Sequence, residues 1–470
     1  MMSRETPQLD RRSLLRGALA AAALAPFAGT LASCGGSSSS GGGGAAQSAT
    51  NPFGLAKSSS VEAVIFNGGY GYDYVKFAAD QVTKQPDFTG VSIKVSPSTQ
   101  IAQQLQPRFV GGNPPDLIDN SGENAIGFSA IEQQLETLDD VFEADNYEGT
   151  KIADTLYPNV KLPGTFGGKF IAMNYVMTVY GMWYSASLFQ QNGWTVPQTW
   201  DEMIALGAKA KAKGKYLWVW GKEAATYYQT MSVNSAIKEG GDEVRLALEN
   251  LKPKCWSLPQ IQGVFNALGE MVQKGYFVPG GAGTQFTAAQ AKWSNDEQAI
   301  LYPSGGWIEN EMKDATKANF QMTGAPEPTL TSSPALPLAG LRAAAGEPFI
   351  VPSQGKSVAG GKEILRAMLS KEAATNFSKT RLAPTIVKGL VPASGFGSTA
   401  LVSQTKMLGA AGSNIFNYQF VDYYGMNTDQ LVPWNSFLSG QLDVAGLTSA
   451  LQDITDKIAN DSSVKKLKIT

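Results

Sequence analysis

Short β-rich runs and amphipathic segments take turns along this chain from Val61 onward, and that alternation limits the folds open to it more than any other feature. Residues 61–66 are apolar and largely β-branched, and Asn67-Gly68-Gly69 ends the run. Residues 74–82 carry helical spacing, and 91–95 alternate as a strand. Pro97-Ser98 opens a helix over 99–110. The punctuation Gly111-Gly112-Asn113-Pro114-Pro115 then leads into a third short strand at 116–119. A β-α-β-α-β order on this period predicts an α/β fold, an open and largely parallel sheet with helices on both faces. Ligands of such sheets lie beyond the carboxyl ends of the strands, which here are 67–72 and 119–123.

A second α/β unit follows. Residues 170–184 are apolar and aromatic, long enough for a strand or strand pair passing between two lobes. Thr199-Trp200-Asp201-Glu202 is a capping box that starts a helix containing Met203, Ile204, Leu206 and Ala210. Ile261, Val264, Phe265, Leu268, Met271 and Val272 recur with helical spacing. Between Thr323 and Gly346 the chain is rich in Pro, Ala and Gly, which predicts an extended return across a hinge. A strand at 347–351 and a helix marked by Ile364, Leu365, Met368 and Leu369 complete the pattern. Two lobes joined by more than one crossing make a hinge, and hinged lobes close on ligands. The chain shows no internal repeat and no GxxxxGK[ST] phosphate loop.

The N-terminus reads as an address. Asp10-Arg11-Arg12-Ser13-Leu14-Leu15-Arg16 resembles a twin-arginine export signal. The Ala-rich run 17–32 that follows is shorter than the ~20 residues needed to span a bilayer, so it reads as a signal core. Leu31-Ala32-Ser33-Cys34 resembles a lipobox, which makes 1–33 a signal peptide and Cys34 the acylated first residue of the mature chain. Residues 34–60 are Gly- and Ser-rich, the composition of a flexible tether. The expected location is extracytoplasmic, with a lipid anchor in the outer face of the cell membrane.

Composition narrows the chemistry. The 38 basic and 40 acidic residues leave a formal net charge of −2, which supplies no field for a phosphate backbone and no nucleic-acid partner. Histidine is absent. That excludes a Ser-His-Asp relay and every imidazole-ligated metal, and it removes the commonest general base. No metal, cofactor or catalytic residue is expected. With Cys34 modified, Cys255 has no intrachain partner and reads as a small buried hydrophobe rather than a reactive thiol.

Several local marks stand in one order. They are Gly112-Asn113-Pro114-Pro115-Asp116-Leu117, Tyr180-Gly181-Met182-Trp183-Tyr184-Ser185, Val196 to Glu202, Ser304-Gly305-Gly306-Trp307, and Phe349-Ile350-Val351-Pro352 followed by 362–369. Together they resemble the extracellular solute-binding proteins of ABC importers, carbohydrate branch (family 1). Ser185 stands where that family usually has Asn, and Glu347 where a small residue is common. The leader and the segments 66–73 and 119–123 look most like the binding proteins for N-acetylglucosamine and N,N′-diacetylchitobiose. The resemblance implies a two-lobed periplasmic-binding-protein-like fold (type II), with a ligand cleft between lobes and a multi-strand hinge. It places lobe I at 61–178 plus 326–382 and lobe II at 179–325 plus 383–470. It further implies a monomeric, non-enzymatic binder that captures a mono- or oligosaccharide and delivers it to an ABC permease.

A pyranose offers apolar C–H faces to aromatic rings and hydroxyls to Asp, Glu and Asn. Aromatic residues are 10% of this chain, and several sit beside polar neighbours. Core packing is the competing reading for each of them. On family position the expected ligand-binding aromatics are Trp307, Trp434, Tyr227 and Trp220. Tyr70, Asn417 and Tyr418 join them from aromatic–polar loops. Asn67, Asp119, Asn120, Glu123 and Glu309 are the expected polar partners, with Glu347 a lesser candidate. Two other classes remain open. A secreted glycoside hydrolase would need paired carboxylates about 5–9.5 Å apart; Glu309 and Glu311 point to different faces, and product analysis with chitobiose separates that case. A ferric-ion binder would use tandem tyrosines such as Tyr227-Tyr228 or Tyr423-Tyr424, and a charge-transfer band with iron would reveal it.

Overall fold

The computed structural model describes residues 44–122, 124–343 and 346–469. The signal peptide, Cys34 and the first part of the expected tether lie outside the described residues, as does Glu123.

Eight strands build the two larger sheets: β1 (Ser60–Phe66), β2 (Ser92–Ser98), β3 (Leu117–Asp119), β4 (Met173–Val176), β5 (Tyr180–Ser185), β6 (Leu301–Gly305), β7 (Met322–Ala325) and β8 (Gly346–Ile350). The first sheet runs β2-β1-β3-β8-β4. Its opening strands are parallel, as the β-α-β-α-β pattern requires, because helices Asp73–Lys84 and Ile101–Val110 carry the chain back between them. β8 pairs antiparallel with both β3 and β4. Val75, Ala78 and Val82 of the first helix and Ile364, Leu365 and Met368 of helix Val358–Met368 bury their apolar faces in the core beside this sheet.

The second sheet is antiparallel, β6-β5-β7, with a larger helical core. The Thr199 hydroxyl caps helix Trp200–Ala212 by accepting from the Glu202 amide at 3.2 Å. The Glu202 carboxylate reaches back to the amide of Gln198 at 2.7 Å, one residue before the cap. Helix Pro259–Gln273 buries Ile261, Val264, Phe265, Leu268 and Met271 as its spacing predicts.

Three boundaries differ from expectation. The tether does not extend to residue 60, because Leu55 is buried in the first core and the Asn51 side chain clamps the Leu55 backbone at 2.8 and 3.0 Å. Residues 326–343 do not return to the first sheet. Buried Glu327 accepts from Asn234 at 2.7 Å, Lys238 donates to its backbone carbonyl, and Leu330 and Leu336 pack on the second core. Conversely, Ala383, Ile386 and Val387 join the first core. The crossings therefore lie at 177–179 and 343–346, held side by side by the bridge Val179–Ala343 and the pair Val176–Gly346. A Cβ at Gly346 would overlap the Thr178 hydroxyl, so this approach requires glycine.

Candidate functional site

β6 ends in Gly305-Gly306-Trp307, and the two glycines decide where the indole goes. A Cβ at Gly305 would overlap the Trp307 ring, and one at Gly306 would overlap the Gln404 side chain, so the ring folds back along its own strand. Trp307 stays partly exposed. Its ring meets Tyr180 and Tyr227 edge-on, with centroids 5.6 and 5.8 Å away and interplanar angles of 82° and 69°. The indole N–H donates to the Tyr227 hydroxyl. The loop after β1 closes on the other side. At Gly69 a Cβ would sit 3.0 Å from the Trp307 Cβ, and the Asn310 amide donates to the Gly69 carbonyl. Trp307 is thus the point where the loop from the first sheet meets the second sheet.

Carboxylates gather around this junction. Asp119, at the end of β3, is buried and accepts from Tyr74 at 3.4 Å and from the Ser121 hydroxyl. Glu347, at the start of β8, hydrogen-bonds the Asp119 carboxyl. Burial pushes both groups above the ordinary carboxylate range, and for Asp119 the neighbouring Glu347 adds to it, so the pair retains a proton between its oxygens. The Glu347 backbone is left-handed, with φ +53°. Glu311 lies one turn beyond Trp307, its amide bonded to the Trp307 carbonyl at 3.0 Å. It accepts from Gln290 at 2.7 Å, and burial raises it to about 7. Glu309 faces elsewhere, accepts from the Ser398 hydroxyl and is also raised by burial. Tyr70 is 1% exposed and its hydroxyl makes no well-aligned hydrogen bond; Thr178, Glu347 and Glu311 lie around it.

The structure brings Trp307, Tyr227, Tyr70 and Asp119 together, with Glu309 at the side and exposed Asn67 at the mouth of the β1 loop. Asn120 is spent on scaffold, its amide holding both backbone groups of Ile126 at 2.8 Å. Tyr418 and Asn417 stand one layer behind. The Arg342 guanidinium lies between the Tyr180 and Tyr418 rings, 4.3 and 4.1 Å from their centroids, and Asn417 donates to the Ala343 carbonyl. Trp220 and Trp434 are placed outside the cluster. Trp220 is 2% exposed and donates to Asn435 at 3.3 Å. Trp434 is 0% exposed and donates to Gln229 at 2.7 Å against Phe265. Helical spacing carried that signal, because Gln430, Phe437 and Leu438 share its buried face.

Tyr180, Glu311 and Arg342 belong to the site or its support without having been singled out, and Glu347 rises from its lesser standing. Glu311 was legible, since residues four apart on a helix share a face and Trp307 precedes it by four. The tandem tyrosines diverge. Tyr228 donates to the Val219 carbonyl at 2.8 Å, Tyr423 to Glu132 at 3.2 Å, and Tyr424 accepts from the Leu467 amide. Among the described residues no His, Cys, Asp and Glu group is spaced to hold a metal ion. A shallow cavity of about 380 Å³ lies beside helix Thr399–Ala411, lined by Thr323, Ser398, Ser403 and Lys406, and touches the cluster only through Ser398. Aromatic rings with carboxylates in a poorly solvated cleft can stack a ring and capture hydroxyls, and a pair of acids that differ in charge can accept and donate at once.

Comparison with known proteins converges on the same chemistry. Residues 69–375 match the family described as bacterial extracellular solute-binding protein. The diacetylchitobiose binding protein NgcE of Streptomyces coelicolor is 66% identical over 464 residues, covering 98% of each chain. A chitin oligosaccharide binding protein superposes with a TM-score of 0.64 at 16% identity, over 85% of this chain and 99% of that one. The raffinose-bound RafE structure gives 0.65 at 16% identity, over 84% and 99%.

Proposed function

The chain belongs to the bacterial extracellular solute-binding proteins, and from that premise we propose that it is the sugar-capturing component of an ABC importer whose ligand is N,N′-diacetylchitobiose, with N-acetylglucosamine as the smaller alternative. The observation that carries this reading is the 66% identity to a diacetylchitobiose binding protein over 98% of both chains. The site supports it. Trp307 offers a ring at the junction of the two halves, and Tyr180, Tyr227, Asp119, Glu311 and Glu347 surround it. In this reading the lobes close by rotation about the crossings at 177–179 and 343–346, because sugar touches both halves only when they are shut. The protein acts as a monomer, captures sugar without chemical change and hands it to membrane permease subunits. Cys34 is the lipid attachment point that keeps it at the outer membrane face. No helix among the described residues is long and apolar enough to cross a membrane.

Thermal unfolding with a panel of mono- and disaccharides tests the assignment. A ligand at one hundred times its Kd adds about 2.7 kcal/mol of stability. N,N′-Diacetylchitobiose should give the largest shift. A larger response to a sugar without acetamido groups, such as maltose, would overturn the choice of ligand.

A further inference from the structure

From the acid lining of this cleft we infer that the site also takes the cationic form of the same disaccharide, the glucosamine dimer whose nitrogens are free ammonium groups, and holds one ammonium between Glu347 and Glu311 near the Tyr70 hydroxyl. This rests on the sugar-binding reading above and deepens it to a second substrate class.

The argument starts from what the acids lack. Asp119, Glu347, Glu309 and Glu311 form no ion pair with any Lys or Arg among the described residues. Their partners are neutral: Tyr74 and Ser121 on Asp119, Gln290 on Glu311, Ser398 on Glu309. The groups facing them from the packed elements are Tyr70 and Tyr74 from the first lobe, with Tyr180, Tyr227 and Tyr302 from the second. The nearest cation in the cluster, Arg342, is screened from them behind the Tyr180 ring. Carboxylates taken out of water are costly unless paired, so an unpaired set in a cleft is matched by positive charge brought from outside.

An independent observation points at the same spot. The Tyr70 hydroxyl is buried, at 1% exposure, and lies among Thr178, Glu347 and Glu311 without an aligned hydrogen bond. The Thr178 hydroxyl beside it, at 0% exposure, is also unmatched. Two unmatched hydroxyls between two acids offer acceptors to an –NH₃⁺ group, which has three donors and no acceptor. The acids are not grouped tightly enough to hold a metal ion, so the spacing suits a charged group carried on a larger ring. A neutral acetamido sugar uses the same carboxyls as hydroxyl partners, and the free amine adds charge-assisted bonds to them.

Calorimetry on the full mature chain tests this with two ligands, N,N′-diacetylchitobiose and the fully de-N-acetylated dimer, at a pH where the amine carries its proton. Wild type should bind both, the diamine within about tenfold of the diacetyl sugar. Glu347→Gln and Glu311→Gln preserve shape and remove charge. Each should weaken the diamine by at least about tenfold more than it weakens the diacetyl sugar. Salt should weaken the diamine selectively. If wild type binds the diacetyl sugar but the diamine more than about a hundredfold less tightly, the inference is wrong while the sugar-binding reading stands. Equal losses for both ligands in both variants would also overturn it. If wild type binds neither, the sugar assignment itself fails.

Discussion

Glu347 is where backbone and charge both work against stability, and replacing it separates the two. Its φ of +53° is a left-handed conformation that costs a residue with a Cβ about 1–2 kcal/mol, and glycine adopts it freely. Its carboxyl sits against the Asp119 carboxyl with no cation alongside. Glu347→Gly removes the backbone cost and the charge, and gives back about 0.4–1 kcal/mol through a freer unfolded chain. The net expectation is a gain of about 1 kcal/mol, or roughly 2 °C in Tm for a chain of this size. Glu347→Gln keeps the strained backbone and removes only the charge.

The pH dependence distinguishes them. Both acids of the pair have folded pKa values above their unfolded ones. Their contribution to stability is therefore present below the unfolded range, about 4, and is lost as pH rises through the folded values. Near pH 4 Glu347→Gln should match wild type, and its advantage should grow toward pH 8. Glu347→Gly should show the same slope with a constant offset from the relieved backbone. Sugar affinity should fall in both variants by about 10- to 100-fold, the value of a charge-assisted hydrogen bond. Differential scanning calorimetry across this pH range, with titration calorimetry beside it, reads all three quantities. A Glu347→Gly protein that melts below wild type at pH 8, or a Glu347→Gln difference that does not change with pH, would refute the account of this residue.

Three further outcomes follow from placement. Trp307→Ala should weaken sugar binding by roughly 10- to 100-fold with little change in Tm, because the ring lines a cleft; unchanged affinity would remove it from the site. Trp434→Ala should do the opposite, costing about 3–5 kcal/mol of stability while the folded fraction binds sugar normally, since its ring is fully buried and bonded to Gln229; a binding loss without destabilisation would return it to the cleft. Cys34→Ala should release the exported protein into the medium, as fractionation and mass spectrometry would show, and continued membrane retention would exclude the lipid anchor.

The parts of this molecule that were legible in the sequence are those where one local rule acts alone. The parallel strands β1 to β3 follow from apolar runs cut by Gly and Pro, and the helices from 3.6-residue spacing, because burial on one face enforces both patterns. The hinge was misplaced for a physical reason. A Pro-, Ala- and Gly-rich stretch looks unattached, and only the fold shows Asn234 and Lys238 reaching from a distant helix to hold Glu327. The tether was overextended for the same reason, since the Asn51 clamp on Leu55 is a local motif inside a bland composition. In the site, Trp307 was legible from its glycines, whereas Trp220 and Trp434 were misleading because a polar sequence neighbour does not mean a wet environment. Glu347 breaks local rules twice, a non-glycine residue at positive φ and a carboxyl held against another carboxyl. Natural chains concentrate such violations where function needs them. The two crossings put Glu347 and Tyr180 on neighbouring strands next to the hinge, so the groups that meet the ligand are the same groups that move first when the lobes part. Closing the cleft without a ligand brings the two acids together at a cost, and a sugar that separates and hydrogen-bonds them removes that cost. The strain at the hinge thereby favours the closed state only when sugar is inside.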